Sequence, residues 1–401
     1  MTAVAARVGL LGVSHAATDF YQGSVAVLVP VLVLQAGFSA VAATTVVLAA
    51  TLGSAVAQPV FGVLADRFQT FWLLPASMLL AAAGIGVLGL TTSYNWTLMA
   101  AGASGLGVAA YHPIAAMLAR QLGCGTARSM SWFIAGGNIG LALAPAIAAP
   151  ILLAFGRHAS PLLAAPGILG GLAVIALRRW LLNGPGTPSA TAPADVAENT
   201  DDWRSFGWLA AIAVLRSGAY FGISTVVGLL VVVELGRSQS AAAAALGVFL
   251  TVGVVATLAG GVIADRWRRV TCLRMGFAII VPGLILLALA PNAPVAFAGA
   301  VVAGIGVFLP FSVQTTLGHE YLPQHIGTAS GVTIGLSVSA GGAIAPLLGF
   351  IVESHGARHA MLALAVLPVL ALVVSLRLRE GHVGGAPPAP VAHARAAAPP
   401  R

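Results

Sequence analysis

Apolar residues in this chain run on for about twenty at a stretch, and the stretches recur from end to end, separated by short clusters of Gly, Pro, Asn, Asp and Arg. A helix needs about 20 such residues to cross about 30 Å of hydrocarbon, so each stretch reads as a spanning helix. The breakers predict helices near 8–34, 40–65, 71–90, 95–121, 127–155, 160–181, 205–233, 239–264, 270–290, 293–318, 327–352 and 358–378. The stretches are continuously apolar and rich in Ala, Leu and Gly. They do not alternate at every second residue, which argues against a membrane β-barrel. The first is too long for a signal peptide and carries His15 and Asp19, so it is expected to remain as a helix. The fold class expected is an all-α membrane protein with twelve transmembrane helices.

The pattern repeats at long range. Gly62-Val63-Leu64-Ala65-Asp66-Arg67 returns as Gly261-Val262-Ile263-Ala264-Asp265-Arg266, an offset of 199 (265 − 66) in a 401-residue chain. Gly105-Leu106-Gly107-Val108 matches Gly304-Ile305-Gly306-Val307 at the same offset, and Gly156 and Gly356 close helices 5 and 11 at an offset of 200. Helix 7 is therefore helix 1 again, and two pseudo-symmetric six-helix bundles are expected. Their limits are 1–181 and 205–380, joined by a polar linker over 182–204 where Pro185, Pro188 and Pro193 meet Asp195, Glu198, Asp201 and Asp202. Residues 381–401, rich in Ala, Pro and Gly, read as a disordered tail.

Composition agrees and adds orientation. The chain is 59% apolar and 7% charged with a mean hydropathy of +0.97, whereas soluble domains carry roughly a quarter charged residues. All 19 basic residues are Arg. With both termini inside, fifteen lie on the cytoplasmic side, only Arg157, Arg237 and Arg358 lie outside, and Arg216 falls within a span. The net charge of +8 thus reports topology in a lipid bilayer, not nucleic-acid binding. Cys124 and Cys272 fall near cytoplasmic helix ends and imply no disulfide framework.

Several elements carry a family resemblance over roughly 8–378. The duplicated Gly-x-x-Ala-Asp-Arg loop resembles the signature of the major facilitator superfamily, whose parallel six-helix repeats bind substrate near the midplane. More narrowly, His15-x-x-x-Asp19-x-x-Gln22-Gly23, Gln58-Pro59-x-Phe61-Gly62, Trp72-Leu73-Leu74-Pro75, Gly105-Leu106-Gly107-x-Ala109-Ala110-Tyr111-His112-Pro113 and Gly136-Gly137-Asn138-x-Gly140 resemble the fosmidomycin resistance protein group of bacterial drug exporters. This resemblance implies efflux of a small antibiotic in exchange for protons. Two departures bear on the direction of transport. Phe68-Gln69-Thr70 replaces the usual Gly-Arg-Arg/Lys continuation, and Leu141 follows Gly140 where antiporters typically have a Gly-Pro pair.

The spans themselves offer three intramembrane titratable groups. Asp19 is the one acidic residue deep in an expected span, and a carboxylate there costs several kcal/mol unless paired, hydrated or protonated. His15 lies four residues before it and Gln22 three after, so all three share a helix face. Asp19 is read as the proton site, with a permanent ion pair or a cap at a helix break as the alternative. Arg216 in helix 7 maps to position 17 (216 − 199), close in depth to Asp19. It would pair with Asp19 in one state and hold an anionic group such as a phosphonate in another; a static salt bridge between bundles stands against this. His112 suits a proton relay or an acidic substrate, and a hydrogen bond within the packing explains it equally well. Tyr111, Trp132, Asn138, Tyr220, Phe311 and Gln314 are candidates to complete a substrate pocket, with packing as the alternative for each. Gly136 and Gly140 fit close helix approach better than ligand contact.

Asp66 and Asp265, with Arg67, Arg266 and Arg128, are candidates for a conformational lock. Each carboxylate would pair with Arg128 or Arg120 and accept hydrogen bonds from a helix N-terminus. Ordinary loop anchoring remains open. Gly84-x-Gly86-x-x-Gly89 spells a dinucleotide fingerprint, but it sits inside a spanning helix with no preceding strand. His382 and His393 are too sparse for a metal tract, and neither metal nor cofactor is expected. The expectation is a multi-pass bacterial inner-membrane monomer that exchanges a small drug or anionic metabolite for protons by alternating access. A proton symporter importing an organic anion and a non-transporting receptor or scaffold are the alternatives. An enzyme is disfavoured because no nucleophile–base pair, zinc ligand set or carboxylate dyad stands at useful spacing.

Overall fold

The computed structural model describes residues 3–68, 71–183, 200–342 and 344–380, and every described secondary-structure element is helical. Most of the linker and the tail from 381, including His382 and His393, lie outside the described residues, as do Gln69 and Thr70. Twelve helices are numbered here in chain order: α1 Ala3–Ala36, α2 Ala40–Phe68, α3 Leu73–Leu88, α4 Tyr94–Leu122, α5 Ala127–Phe155, α6 160–182, α7 Trp203–Glu234, α8 Gln239–Arg266, α9 Arg269–Ala288, α10 Ala293–Tyr321, α11 326–355 and α12 Ala357–Ser375. Among the described residues, eight helical stretches, in α2, α5 to α10 and α12, are both long and apolar enough to cross a bilayer. α1, α3, α4 and α11 complete the twelve.

Breakers place most ends within a few residues of expectation, and α5 matches at both ends. Several helices are less regular than the apolar pattern implies. α6 is interrupted at Ala164 and Leu177. α10 breaks at Leu309 and Pro310 and then runs to Tyr321, three residues past the expected end, which brings His319 and Glu320 into the helix. α11 contains a π-helical turn over Gly331–Leu336, a device that often marks functional positions in helices.

The repeat seen in sequence is a repeat of contacts. In the first bundle Gly105 of α4 lies against the backbone of Ala50 in α2; in the second Gly304 of α10 lies against Phe249 of α8. Both pairs are offset by 199 (304 − 105 and 249 − 50). The α1–α5 seam is the closest approach. A Cβ at Gly136 or Gly140 would stand 2.0 Å from Gly12 O or 2.1 Å from Ala16 O, so only glycine lets these two backbones meet.

The bundles join at the end that carries the repeated motif. There α2 crosses α11 with Gly62 against Gly327 and Gly331 against Gln58, and α8 crosses α5 with Gly261 against Ala127 and Ser131. The hydrogen bond between bundles that lies farthest from this end, among the described residues, is Asn138 Nδ2 to Thr257 Oγ1 at 3.4 Å. Asn138 is 11 residues into α5, about 16 Å along the axis. The conformation is therefore closed from the motif end to about mid-depth.

Candidate functional site

Mid-depth is also where the polar side chains of α1 and α4 converge. His15 and Asp19 are one turn apart on α1, and α4 brings His112 to the same carboxylate. Asp19 Oδ2 lies 3.2 Å from His15 Nε2, and Asp19 Oδ1 lies 3.0 Å from His112 Nε2. The histidine side chains are 4% exposed and that of Asp19 16%, so the cluster is buried with the carboxylate at its open side. Each ring is fixed from behind by a backbone carbonyl. His15 Nδ1 is 2.8 Å from Phe133 O and His112 Nδ1 is 2.9 Å from Val108 O. The His15 ring also stacks on Phe133 with centroids 4.2 Å apart. α5 contributes room: a Cβ at Gly137 would stand 2.5 Å from Asp19 Oδ2 and 2.6 Å from His15 Nε2.

The second bundle presents a cation. Arg216 on α7 is 3% exposed, its Nε donates to Gln314 Oε1 at 2.9 Å, its Nη2 donates to Ser217 Oγ at 3.1 Å, and its guanidinium lies 4.1 Å from the centre of the Phe311 ring. Among the described residues no carboxylate forms a salt bridge with it. A buried guanidinium that is hydrogen-bonded but not neutralised has capacity for an anion. Tyr220, one turn on, packs against Phe249 and Phe308 and is within electrostatic reach of both Arg216 and Asp19.

The sequence candidates divide accordingly. His15, Asp19 and His112 form one cluster, and Arg216, Phe311 and Gln314 form another, while Tyr220 packs against Phe249 and Phe308. The expected pairing of Arg216 with Asp19 is not made in this conformation: both Asp19 oxygens face histidines, and the Arg216 fork is turned onto Gln314 and Phe311. Tyr111 is fully buried, its hydroxyl 2.6 Å from Ser14 Oγ, so it braces α4 on α1 and does not line a pocket. Trp132 is 54% exposed, one turn before Gly136 on α5, and its side chain takes no part in the buried His–Asp or Arg216 contacts. Asn138 belongs to the bundle contact described above. Gln22 is half-buried and takes no part in the His–Asp contacts.

At the motif end both aspartates accept from a helix N-terminus, as expected, but without the expected Arg128 or Arg120 side-chain pairing. Asp66 accepts from Gly327 N at 2.6 Å, Thr328 N at 2.9 Å and Thr328 Oγ1 at 2.7 Å, capping α11. Asp265 accepts from Ala127 N and Arg128 N, each at 2.8 Å, capping α5. Each bundle thus caps a helix of the other, and the capped positions are offset by 200 (327 − 127 and 328 − 128). The guanidiniums of Arg128 and Arg120 do not pair with these carboxylates; Arg128 serves through its backbone, and Arg269 stands 3.7 Å from Asp265. Arg67 and Arg266 are exposed and outside the caps.

Two features escaped the sequence reading. Arg157 donates to Gly89 O and Thr91 O, and Arg358 to Ala288 O and Ala290 O, so each ties a helix C-terminus to the start of the bundle's last hairpin. This bonding gives two of the three exceptions to the positive-inside count a structural role. Gln35 and Glu234 support the same corners, accepting from Arg157 N and Ala357 N. At the motif end, Arg269 pairs with Glu320, and buried His319 bonds Ser330 Oγ at 2.6 Å.

Two repeated bundles that cap one another at one end and face each other with charged groups at mid-depth make up a multi-pass membrane transporter. The chain belongs to the major facilitator superfamily, whose family model matches residues 11–346. It is 28% identical over 394 residues to an uncharacterized MFS-type transporter, YfnC, of Bacillus subtilis, covering 93% of this chain and 94% of that protein. It is 26% identical over 376 residues to the fosmidomycin resistance protein of Escherichia coli, covering 91% of each. Among solved structures, the major facilitator transporter FucP in the outward conformation superimposes with a TM-score of 0.73 at 15% identity, over 92% of this chain and 97% of that one.

Proposed function

We propose that this protein exports a small anionic molecule across the bacterial inner membrane in exchange for protons, by alternating access. The observation that carries the proposal is a carboxylate at mid-membrane held between two histidines, facing a bundle whose buried Arg216 has no carboxylate partner. The first arrangement suits proton exchange and the second suits an anion, with Phe311 and Gln314 orienting the guanidinium fork. Export is favoured by the likeness to a fosmidomycin resistance protein. The 15-to-3 distribution of Arg supports both termini and the motif end being cytoplasmic, and on that orientation the described conformation is closed to the cytoplasm. Asp66 and Asp265 would then form the cytoplasmic lock. One chain contains both bundles and acts as a monomer.

The test uses proteoliposomes and fosmidomycin as probe. Uptake into inverted vesicles should rise with an inwardly acidic gradient and collapse when the gradient is dissipated. Asp19→Asn should abolish the response to the gradient, and Arg216→Gln should abolish saturable uptake. Flux indifferent to pH in the wild type would sink the proton-coupled reading. Cells lacking the protein should accumulate more of the probe; lower accumulation would instead establish import.

A further inference from the structure

The hydrogen-bond partners of the two histidines determine how many protons the cluster holds. A carbonyl oxygen can only accept, so the contacts to Phe133 O and Val108 O require a hydrogen on Nδ1 of His15 and on Nδ1 of His112. A neutral imidazole has one N–H. With Nδ1 occupied, each neutral ring would turn the lone pair of Nε2 toward Asp19. An ionised carboxylate is also acceptor only, so two buried contacts of 3.2 Å and 3.0 Å would set lone pair against lone pair. The His112 contact, aligned as a hydrogen bond, needs a hydrogen in it; the His15 contact stands at ion-pair distance without that alignment, and there a proton on Nε2 turns the repulsion between a buried lone pair and a carboxylate oxygen into attraction.

The number is two whichever way the hydrogens are placed. Both sit on Nε2 beside an ionised Asp19, or one sits on Asp19 and is donated to one ring while the other ring is an imidazolium. Either distribution gives the cluster a net charge of +1, and loss of both protons gives −1. The surrounding groups are few. α4 adds Tyr111, tied to Ser14. α5 adds the Phe133 carbonyl and the space at Gly137. α7 adds Tyr220 and the cation of Arg216 in the facing bundle. The His15 contact has ion-pair distance without hydrogen-bond alignment, which marks its proton as the looser of the two.

We propose that His15, Asp19 and His112 form a two-proton site, occupied by both protons in the conformation closed at the motif end. The proposal rests on the proton-coupled reading above and adds the count and the seats of the protons. It is tested on the full chain in lipid nanodiscs, labelled with 15N-histidine, with ring signals assigned through His15→Gln and His112→Gln. Near neutral pH both rings should show hydrogens on Nδ1 and Nε2, and the two Nε2 hydrogens should be lost as pH is raised. In Asp19→Asn, checked for folding by thermal unfolding, both rings should revert to neutral forms protonated on Nδ1 alone. A wild-type ring that is neutral near pH 7, or protonated on Nε2 alone, would overturn the proposal. A stoichiometric divalent transition metal found by elemental analysis, whose removal changes the ring signals, would overturn it too, because one such ion replaces both protons. These outcomes are separable from the functional reading: pH-indifferent flux with the expected signals refutes coupling, and pH-driven flux with a neutral ring refutes the two-proton site.

Discussion

Removing the two reciprocal caps should open the motif end by a calculable amount. Asp66 accepts three hydrogen bonds from α11 and Asp265 two from α5, all between 2.6 and 2.9 Å. Hydrogen bonds to charged groups contribute about 1.5–3 kcal/mol each and neutral ones about 0.5–1.5. Asp→Asn keeps one acceptor, loses the charge and turns an amide toward a backbone N–H. The cost is then about 2 kcal/mol at Asp66 and about 1 kcal/mol at the more exposed Asp265, including the lost attraction to the helix N-termini. The caps share no partner, so their effects should add to about 3 kcal/mol, a little over a hundredfold in the closed-to-open ratio. Spin labels at Arg67→Cys and Arg266→Cys, exposed residues of opposite bundles, report the distance across this end once Cys124 and Cys272 are replaced by Ser. Asp66→Asn should move a measurable fraction to longer distances, and the double variant should move most of it. A double variant with the parental distance distribution would show that the caps hold loops in place and do not set the equilibrium.

Two further sets of substitutions test the site and the scaffold separately. Gly137→Ala places a methyl where Asp19 Oδ2 and His15 Nε2 now lie, so the pair must separate; proton-driven flux should fall at least tenfold, while Gly102→Ala, where a Cβ meets nothing, should leave it intact. Arg157→Ala and Arg358→Ala each strip two helix-end carbonyls of their donors, at a cost of about 1–3 kcal/mol. Each should lower the thermal unfolding midpoint in detergent without changing the label distances at the motif end; an unchanged midpoint would mean that water replaces the guanidinium.

The spanning helices and the repeat were legible because both are written in residue type. Apolar length defines a span, and a constant offset of 199 survives wherever neither half has gained a residue. Arg157 and Arg358 do the same work at an offset of 201, which hides them from a search at fixed spacing. Asp66 and Asp265 stood out as carboxylates fit to accept from a helix N-terminus, but which helix was not legible, because backbone N–H groups carry no side-chain signature and lie 261 and 138 positions away. His15 and Asp19 could be joined by helical spacing; His112 joins them only because α4 packs on α1. Gly137 looked like its neighbours in a glycine-rich helix, yet Gly136 and Gly140 face a backbone and Gly137 faces the charged pair. Trp132 is exposed, and residue type alone does not say whether that side of a helix faces lipid or a cavity.

On the proposed reading, the two clusters are coupled by charge, because they belong to different bundles. All groups of the His–Asp site lie in the first bundle, so rocking the bundles leaves its internal contacts intact and changes mainly its distance from Arg216. With both protons the site is a cation and repels that guanidinium; without them it is an anion and attracts it. A change of two charges at the site reverses the sign of its interaction with the guanidinium, and with it the conformation that this interaction favours. An anionic substrate on Arg216 would cancel the cation and remove the attraction, so substrate and protons compete for control of the same movement without sharing a ligand. The label distances at the motif end should therefore shift with pH in the wild type, and the shift should vanish in Arg216→Gln, which retains both caps and the His–Asp site. If Arg216→Gln responds to pH as the wild type does, the bundles are coupled through something other than this pair of opposing charges.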